Sequence, residues 1–490
     1  MSADRITGRR LVAVTIGILL ALFLVALDQF VVGSAMPRIV AELHGLDSYS
    51  WVLTAYLVSL TTVTPIAGKL GDLFGRRSVL LVGMVGFALS SALCGQAADM
   101  TQLIAFRAVQ GVFGGLLFSN VFASVADLFA MEARVRVQGA LGGVFGIASL
   151  VGPTIGGYLT DGAGWRWAFY VNLPVSAVAI ALVLVAMPRI RSTASLRDVD
   201  LAGALTLAGG LVPLLVGVSI TRDHAWGSGE VLGLLAIATV MLVVFVGREL
   251  RARDPIVPLA LFTDRTFTVA VVAGFFIYVA FFSALLFVPL LYQGVLGIRP
   301  SDSGVLVTPM LLGLIAGSVI AGQLMLRVSR YRYLGTGATL LVALGAALLA
   351  QTTIASDQQD VVRALVILGA GIGVTIPLYL NSAQAAVERR LVGVVTSQVQ
   401  FWRQIGGTIG VAVLGSLLSA RLPASANVSA AQVALPSPVR IAIAGGLHDV
   451  FIDAALCAVV ALVASFFLRE TAVRRRRGEL ATAPVEAAAD

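Results

Sequence analysis

Runs of about 20 apolar residues, each ended by a short polar connector, repeat along almost the whole chain. That is the length of a helix crossing a bilayer, and the pattern predicts about 14 such spans. Six fall near 11–34, 50–70, 79–97, 102–124, 138–160 and 166–187. Two more, near 200–220 and 231–247, precede a last group near 267–292, 303–325, 333–354, 362–385, 397–419 and 449–468. The first run follows Arg9 and Arg10, as a secretion signal would. It is long, carries Asp28 and leads straight into another span, which fits an uncleaved helix better.

The basic residues test this reading independently. With the N-terminus inside, the connectors on that side hold about three quarters of the 34 lysines and arginines. Only Arg107 and Arg403 fall within spans. The asymmetry predicts an even number of spans, cytoplasmic termini at both ends and a multi-pass place in the cell membrane. Composition agrees, with 58% hydrophobic and 12% charged residues, against about 45–50% and about 25% in soluble domains. The net charge of +8 is spread over short loops rather than one face, so no nucleic-acid surface follows from it. Cys94 and Cys457 sit in distant apolar runs, and His44, His224 and His448 lie scattered in connectors. Neither a metal site nor another cofactor is expected, and no converging catalytic groups point to an enzyme. A G-x-x-x-x-G-K-[ST] phosphate loop does not occur in the sequence.

The connector after the second span reads Gly68-Lys69-Leu70-Gly71-Asp72-Leu73-Phe74-Gly75-Arg76-Arg77. Its glycines allow helix ends to approach closely and the chain to turn sharply. Asp72 is placed to meet a helix N-terminus or to pair with a neighbouring arginine, and either contact would latch a gate. A merely basic loop is the alternative. A fainter copy, Gly322-Gln323-Leu324-Met325-Leu326-Arg327-Val328-Ser329-Arg330, aligns Gly68 with Gly322 and Arg76 with Arg330, and puts Leu326 in the place of Asp72. Two related halves fit a transporter built from repeats, with its binding site between them near mid-membrane. The expected division is an N-terminal half over 1–198, two inserted helices over 199–262, a C-terminal half over 263–470 and a disordered tail over 471–490.

The first connector resembles the G-x-L-x-D-x-x-G-R-R signature of the major facilitator superfamily. The order of six, two and six spans resembles that superfamily's fourteen-span drug:proton antiporters. Leu27-Asp28-Gln29-Phe30-Val31-Val32-Gly33-Ser34-Ala35-Met36-Pro37 is similar to their L-D-x-T-I-V-N-x-A-L-P stretch, with Phe30 and Gly33 replacing the threonine and asparagine. Arg107-Ala108-Val109-Gln110-Gly111 resembles the buried R-x-x-Q-G motif. Gly152-Pro153-Thr154-Ile155-Gly156-Gly157, preceded by Gly146, resembles the G-P-x-x-G-G motif of exporters. Trp165 to Pro174 and Arg403-Gln404-Ile405-Gly406-Gly407 match the entry to span six and span thirteen. The resemblance implies an all-α integral membrane protein of the major facilitator fold, with two six-helix halves plus two inserted central helices. For span five it implies a helix that rocks while the outer path stays sealed. The glycines alone fit tight packing better, a preference the resemblance reverses, and Pro153 permits a bend.

Ionisable groups inside spans cost about 2.5–3.5 kcal/mol each at the bilayer centre. Asp28 and Arg107 both fall in the outer half, roughly 8–14 Å deep, where they could face one another. Asp28 is the candidate proton carrier and Arg107 its partner in proton coupling, with a structural salt bridge as the alternative. Arg403, about six residues from its end of span thirteen, is expected to snorkel to the surface. Phe275, Tyr278 and Phe282 recur on one face of span nine. With Asp28, Gln293, Asn381 and Gln384 they form the candidate substrate-binding set of an apolar, cation-tolerant pocket. A lipid-facing or packed stripe is the alternative. The expected function is proton-coupled multidrug efflux of lipophilic, often cationic compounds. Its partners would be the small lipophilic substrate, protons and membrane lipids, with no obligate protein partner. A dedicated exporter of one metabolite, lipid or siderophore stands next, ahead of a membrane enzyme or a passive channel.

Overall fold

Without water to satisfy its backbone, an apolar run of this length closes its hydrogen bonds internally as a helix. Each predicted span does so. The computed structural model describes residues 8–43, 48–189, 200–222, 224–252, 254–296, 307–327, 331–354, 356–388, 391–421 and 437–469. The first half comprises α1 (Gly8–Leu43), α2 (Tyr49–Phe74), α3 (Arg76–Gly95), α4 (Met100–Leu128), α5 (Met131–Gly162) and α6 (Trp167–Ala186). Helices α7 (Leu201–Ser219) and α8 (Gly229–Glu249) follow. The second half comprises α9 (Arg265–Leu290), α10 (Thr308–Arg327), α11 (Tyr331–Ala350), α12 (Gln358–Ala385), α13 (Val392–Arg421) and α14 (Ser437–Ser465). Among the described residues there is no strand.

Among the described residues, 13 helices are long and apolar enough to cross a membrane. Helix α13 falls outside that set, because Gln398, Gln400, Arg403 and Gln404 dilute its hydropathy. All four side chains are buried, so the polarity of α13 points into the protein.

The packing repeats between halves. In the first, α1 packs on α5 and α6, α2 on α4, and α3 on α4 and α6. In the second, α9 packs on α13 and α14, α10 on α12, and α11 on α12 and α14. The closest approaches repeat as well. A Cβ on Gly111 of α4 would collide with the Tyr56 carbonyl of α2, and one on Gly369 of α12 with the Met310 carbonyl of α10. Two seams join the halves, α2 against α13 and α5 against α10. Helices α7 and α8 pack together, and α7 lies on α2 and α13.

Several boundaries differ from the hydropathy reading. Helix α1 continues through Pro37 to Leu43. Residues 437–448 precede the span expected at 449–468, yet α14 begins at Ser437. Arg440, the Gly445-Gly446 pair and His448 lower the local hydropathy, but Ile443 and Leu447 lie one helical turn apart and are buried against the body. Asp449 pairs with Arg421 at 2.7 Å and ties α14 to the end of α13. Arg330 and the 471–490 tail lie outside the described residues.

Candidate functional site: a gate, a buried ion pair and a central cleft

The candidate gate motif begins with one backbone angle. Gly75 has φ 84° and ψ 139° and ends α2 and starts α3 without an intervening loop. Side chains other than hydrogen strain this conformation. Gly75→Val is therefore expected to cost about 1–3 kcal/mol, read as a lower unfolding temperature in detergent. The tight turn points Arg76 back into the helix junction, where it pairs with Asp72 and, at 2.9 Å, with Asp127 of α4. Its Nη1 donates to the Gly68 carbonyl at 3.1 Å and to Asn120 Oδ1 at 3.3 Å. Arg77 turns the other way and donates to the carbonyls of Leu184 and Met187 at 2.7 and 2.9 Å. Arg10 donates to Ala186 at 2.9 Å, so two cations sit at the negative end of α6.

The same junction meets the opposite half. A Cβ on Gly393, near the start of α13, would collide with Asp72 and Arg76. One on Gly68 would collide with Ser397 of α13. On the second seam, Cβ atoms on Gly142 and Gly146 of α5 would meet Ser318 and Ile315 of α10 at 2.7 and 2.5 Å. Between the seams, Gln138 of α5 accepts a hydrogen bond from Asn381 and donates to Gln384 at 3.4 Å. Gln384 in turn donates to Thr396 at 2.8 Å. One end of the interface is thus closed by backbone-close packing and a small amide network. At the far end of α5, positions Gly157 and Gly162 have nothing within 4 Å of a Cβ.

Helix α5 uses its glycines on two faces. Gly142 and Gly146 meet α10, whereas a Cβ on Gly152 would lie 2.6 Å from Phe30, and one on Gly156 would collide with Ser34, both on α1. Pro153 between them is solvent- or lipid-exposed. The helix therefore touches its own half and the opposite half without bulk on either side.

Behind the interface, Asp28 and Arg107 are both 0% exposed. Arg107 Nη1 lies 2.5 Å from Asp28 Oδ2. Asp28 Oδ1 accepts from Gln110 Nε2 at 2.9 Å and Asn172 Nδ2 at 3.0 Å. Arg107 also donates to Gln110 Oε1 at 2.8 Å and the Val52 carbonyl at 3.3 Å, and its guanidinium stacks 4.1 Å above the Tyr56 ring. The pair thus links α1, α2, α4 and α6 at no net charge. Adding a proton to Asp28 would leave Arg107 an uncompensated buried cation, which is costly.

An open cleft lies between the halves. Gln29, Phe118 and Phe145 line it from the first half, and Tyr278, Phe282 and Gln400 from the second. Phe281 extends the aromatic wall, its ring centroid 5.3 Å from that of Phe282. Among the described residues its lining holds amides, the Tyr278 phenol and apolar groups, and no carboxylate.

The substrate set read from sequence is divided by the structure. Tyr278 and Phe282 line the cleft. Phe275 instead stacks against Phe276 and packs on the apolar cluster under α7. Asn381 and Gln384 belong to the closed end, since they donate to the Gln138 amide of α5 and the Thr396 hydroxyl of α13. Asp28 is buried behind the lining, while its neighbour Gln29 reaches it. The side chain of Gln293 lies outside the described residues. Arg403 does not snorkel: it is 2% exposed and donates to Gln400 Oε1 at 2.8 Å and the Ile376 carbonyl at 3.0 Å. Sequence reasoning missed Gln110 and Asn172 as ligands of Asp28, although both stand within the motifs quoted above. Gln400, three residues before Arg403, was legible as a same-face neighbour in a helix.

Comparisons with known proteins agree with this architecture. The profile of the Major Facilitator Superfamily matches residues 18–411. The multidrug transporter protein MdtP of Bacillus subtilis strain 168 is 40% identical over 451 residues, covering 88% of this chain and 82% of its own length. Multidrug resistance protein 3 of the same organism is 32% identical over 405 residues, covering 82% and 79%. Among solved structures, the human organic anion transporter MFSD10 (TETRAN) superposes with a TM-score of 0.63 at 18% identity, covering 94% of this chain and all of its own, a likeness that bears on the fold alone. Paired six-helix halves, the packed α2–α3 junction and the profile match together place this chain in the Major Facilitator Superfamily of transporters.

Proposed function

We propose that this protein is a proton-coupled secondary multidrug exporter working by alternating access. The observation that carries the reading is the cleft walled by both halves and closed at one end by paired helix seams. Rocking the halves about that interface would expose the cleft to the other side. The similarity to the multidrug transporter of Bacillus subtilis supports export of varied lipophilic compounds. Asp28 is assigned the proton and Arg107 the countercharge that changes with it. The basic-residue asymmetry supports cytoplasmic termini in a cell membrane, which makes the closed end cytoplasmic and the state outward-facing. The chain would then divide at 1–198, 199–262 and 263–470.

The test is purified protein in liposomes under an imposed pH gradient, with neutral, cationic and anionic lipophilic dyes. Gradient-driven accumulation of at least one dye is expected for the wild type and its loss for Asp28→Asn. Uphill transport unchanged in the variant would remove Asp28 from coupling. Movement that only dissipates a dye gradient would replace the exporter with a passive channel.

A further inference from the structure

The electrostatics of the cleft have a sign. Asp28 and Arg107 cancel each other away from the lining. Arg403 does not cancel. Its guanidinium is permanently charged, and both hydrogen bonds it donates go to neutral oxygens, of Gln400 and Ile376. Those two residues line the cleft. So does Tyr278, whose ring lies 5.6 Å from the guanidinium carbon. Among the described residues no carboxylate pairs with Arg403. The site is built for it: Gly274 of α9 leaves room where a Cβ would press on the Arg403 stem at 3.2 Å. A fixed positive charge therefore stands one side chain behind an aromatic and amide wall.

Building on the exporter reading, we propose that the cleft selects lipophilic anions over lipophilic cations, and that Arg403 determines the preference. Tyr278, Phe281 and Phe282 offer the apolar contact, and the amides of Gln29, Gln400 and Gln404 solvate a delocalised negative charge without neutralising Arg403. A cation of the same shape meets the same wall with an opposing field. At an effective dielectric near 20, one unit charge about 8 Å from a bound ion changes its affinity by at least tenfold.

Tetraphenylborate and tetraphenylphosphonium are nearly equal in size and opposite in charge. Their affinities are measured on the full chain in nanodiscs of zwitterionic lipid, with empty nanodiscs subtracted. The borate is expected to bind at least tenfold tighter than the phosphonium. Arg403→Gln should bring that ratio near one. Gln400→Glu keeps the arginine but gives it a carboxylate partner, and should lower the ratio in the same direction even if Arg403→Gln does not fold. Equal affinities, tighter phosphonium, no specific binding of either ion, or a ratio unmoved by Gln400→Glu would overturn the proposal. Gradient-driven transport of a neutral dye is scored separately. A protein that moves the dye without charge preference loses this inference alone, and one with the preference but no uphill transport loses the exporter reading alone.

Discussion

Replacing Gly68 by leucine is expected to hold the two halves apart at their closed end and lower transport at least tenfold. A single Cβ at this position would already collide with Ser397, and it would come within 3.0 Å of the Gly393 carbonyl. The serine can rotate, but the α13 backbone cannot yield without moving its half. Arg76 is bound to the Gly68 carbonyl, so the position is also held from the side of α2. Packed interfaces of this kind respond by switching arrangement rather than by stretching. The check is thiol labelling of a cysteine placed at Asn381, a position 0% exposed in the closed end, in a background without Cys94 and Cys457. Gly68→Leu should turn that cysteine from protected to reactive. Protection equal to the parent would mean that the seam absorbs the bulk and that α2 and α13 do not set the closed state.

The second large effect concerns the buried pair. Arg107→Leu should cost about 3–5 kcal/mol of stability, because it strands the Asp28 carboxylate in a site without solvent. Asp28→Leu should cost a similar amount by stranding Arg107. The double variant should lose clearly less than the sum, since neither charge then remains. Unfolding of all four proteins in one detergent gives the coupling directly. Strictly additive losses would show that Gln110, Asn172 and Tyr56 hold each charge independently of the other. Transport separates structure from mechanism here: the double variant is expected to stay folded and lose gradient-driven export.

Much of this was legible in the chain because a bilayer permits few solutions. Apolar length fixes helices, and arginine placement orders them, so the six, two and six arrangement could be read before any contact was known. Asp28 and Arg107 could be matched because both lie at similar depth in the first half. Their remaining ligands could not, since Gln110 and Asn172 meet Asp28 only when α4 and α6 close around α1. Arg403 misled for a related reason. Distance from the end of a span measures depth, not direction, and α13 turns this residue toward α9 and the cleft rather than the surface. Asn381 and Gln384 show the same limit, as polar groups in an apolar helix that face a seam instead of a pocket.

The inserted pair α7 and α8 breaks the equivalence of the two halves. Exchange of one half for the other maps the α2–α13 seam onto α10–α5, yet only the former carries the extra pair on its flank. A helix with side chains is about 10–12 Å thick, so one seam is shielded by a helix diameter and its counterpart is not. In the plane of a bilayer the molecule is lopsided. A solute already dissolved in lipid meets a blind side and an uncovered side, although the internal fold treats both seams alike.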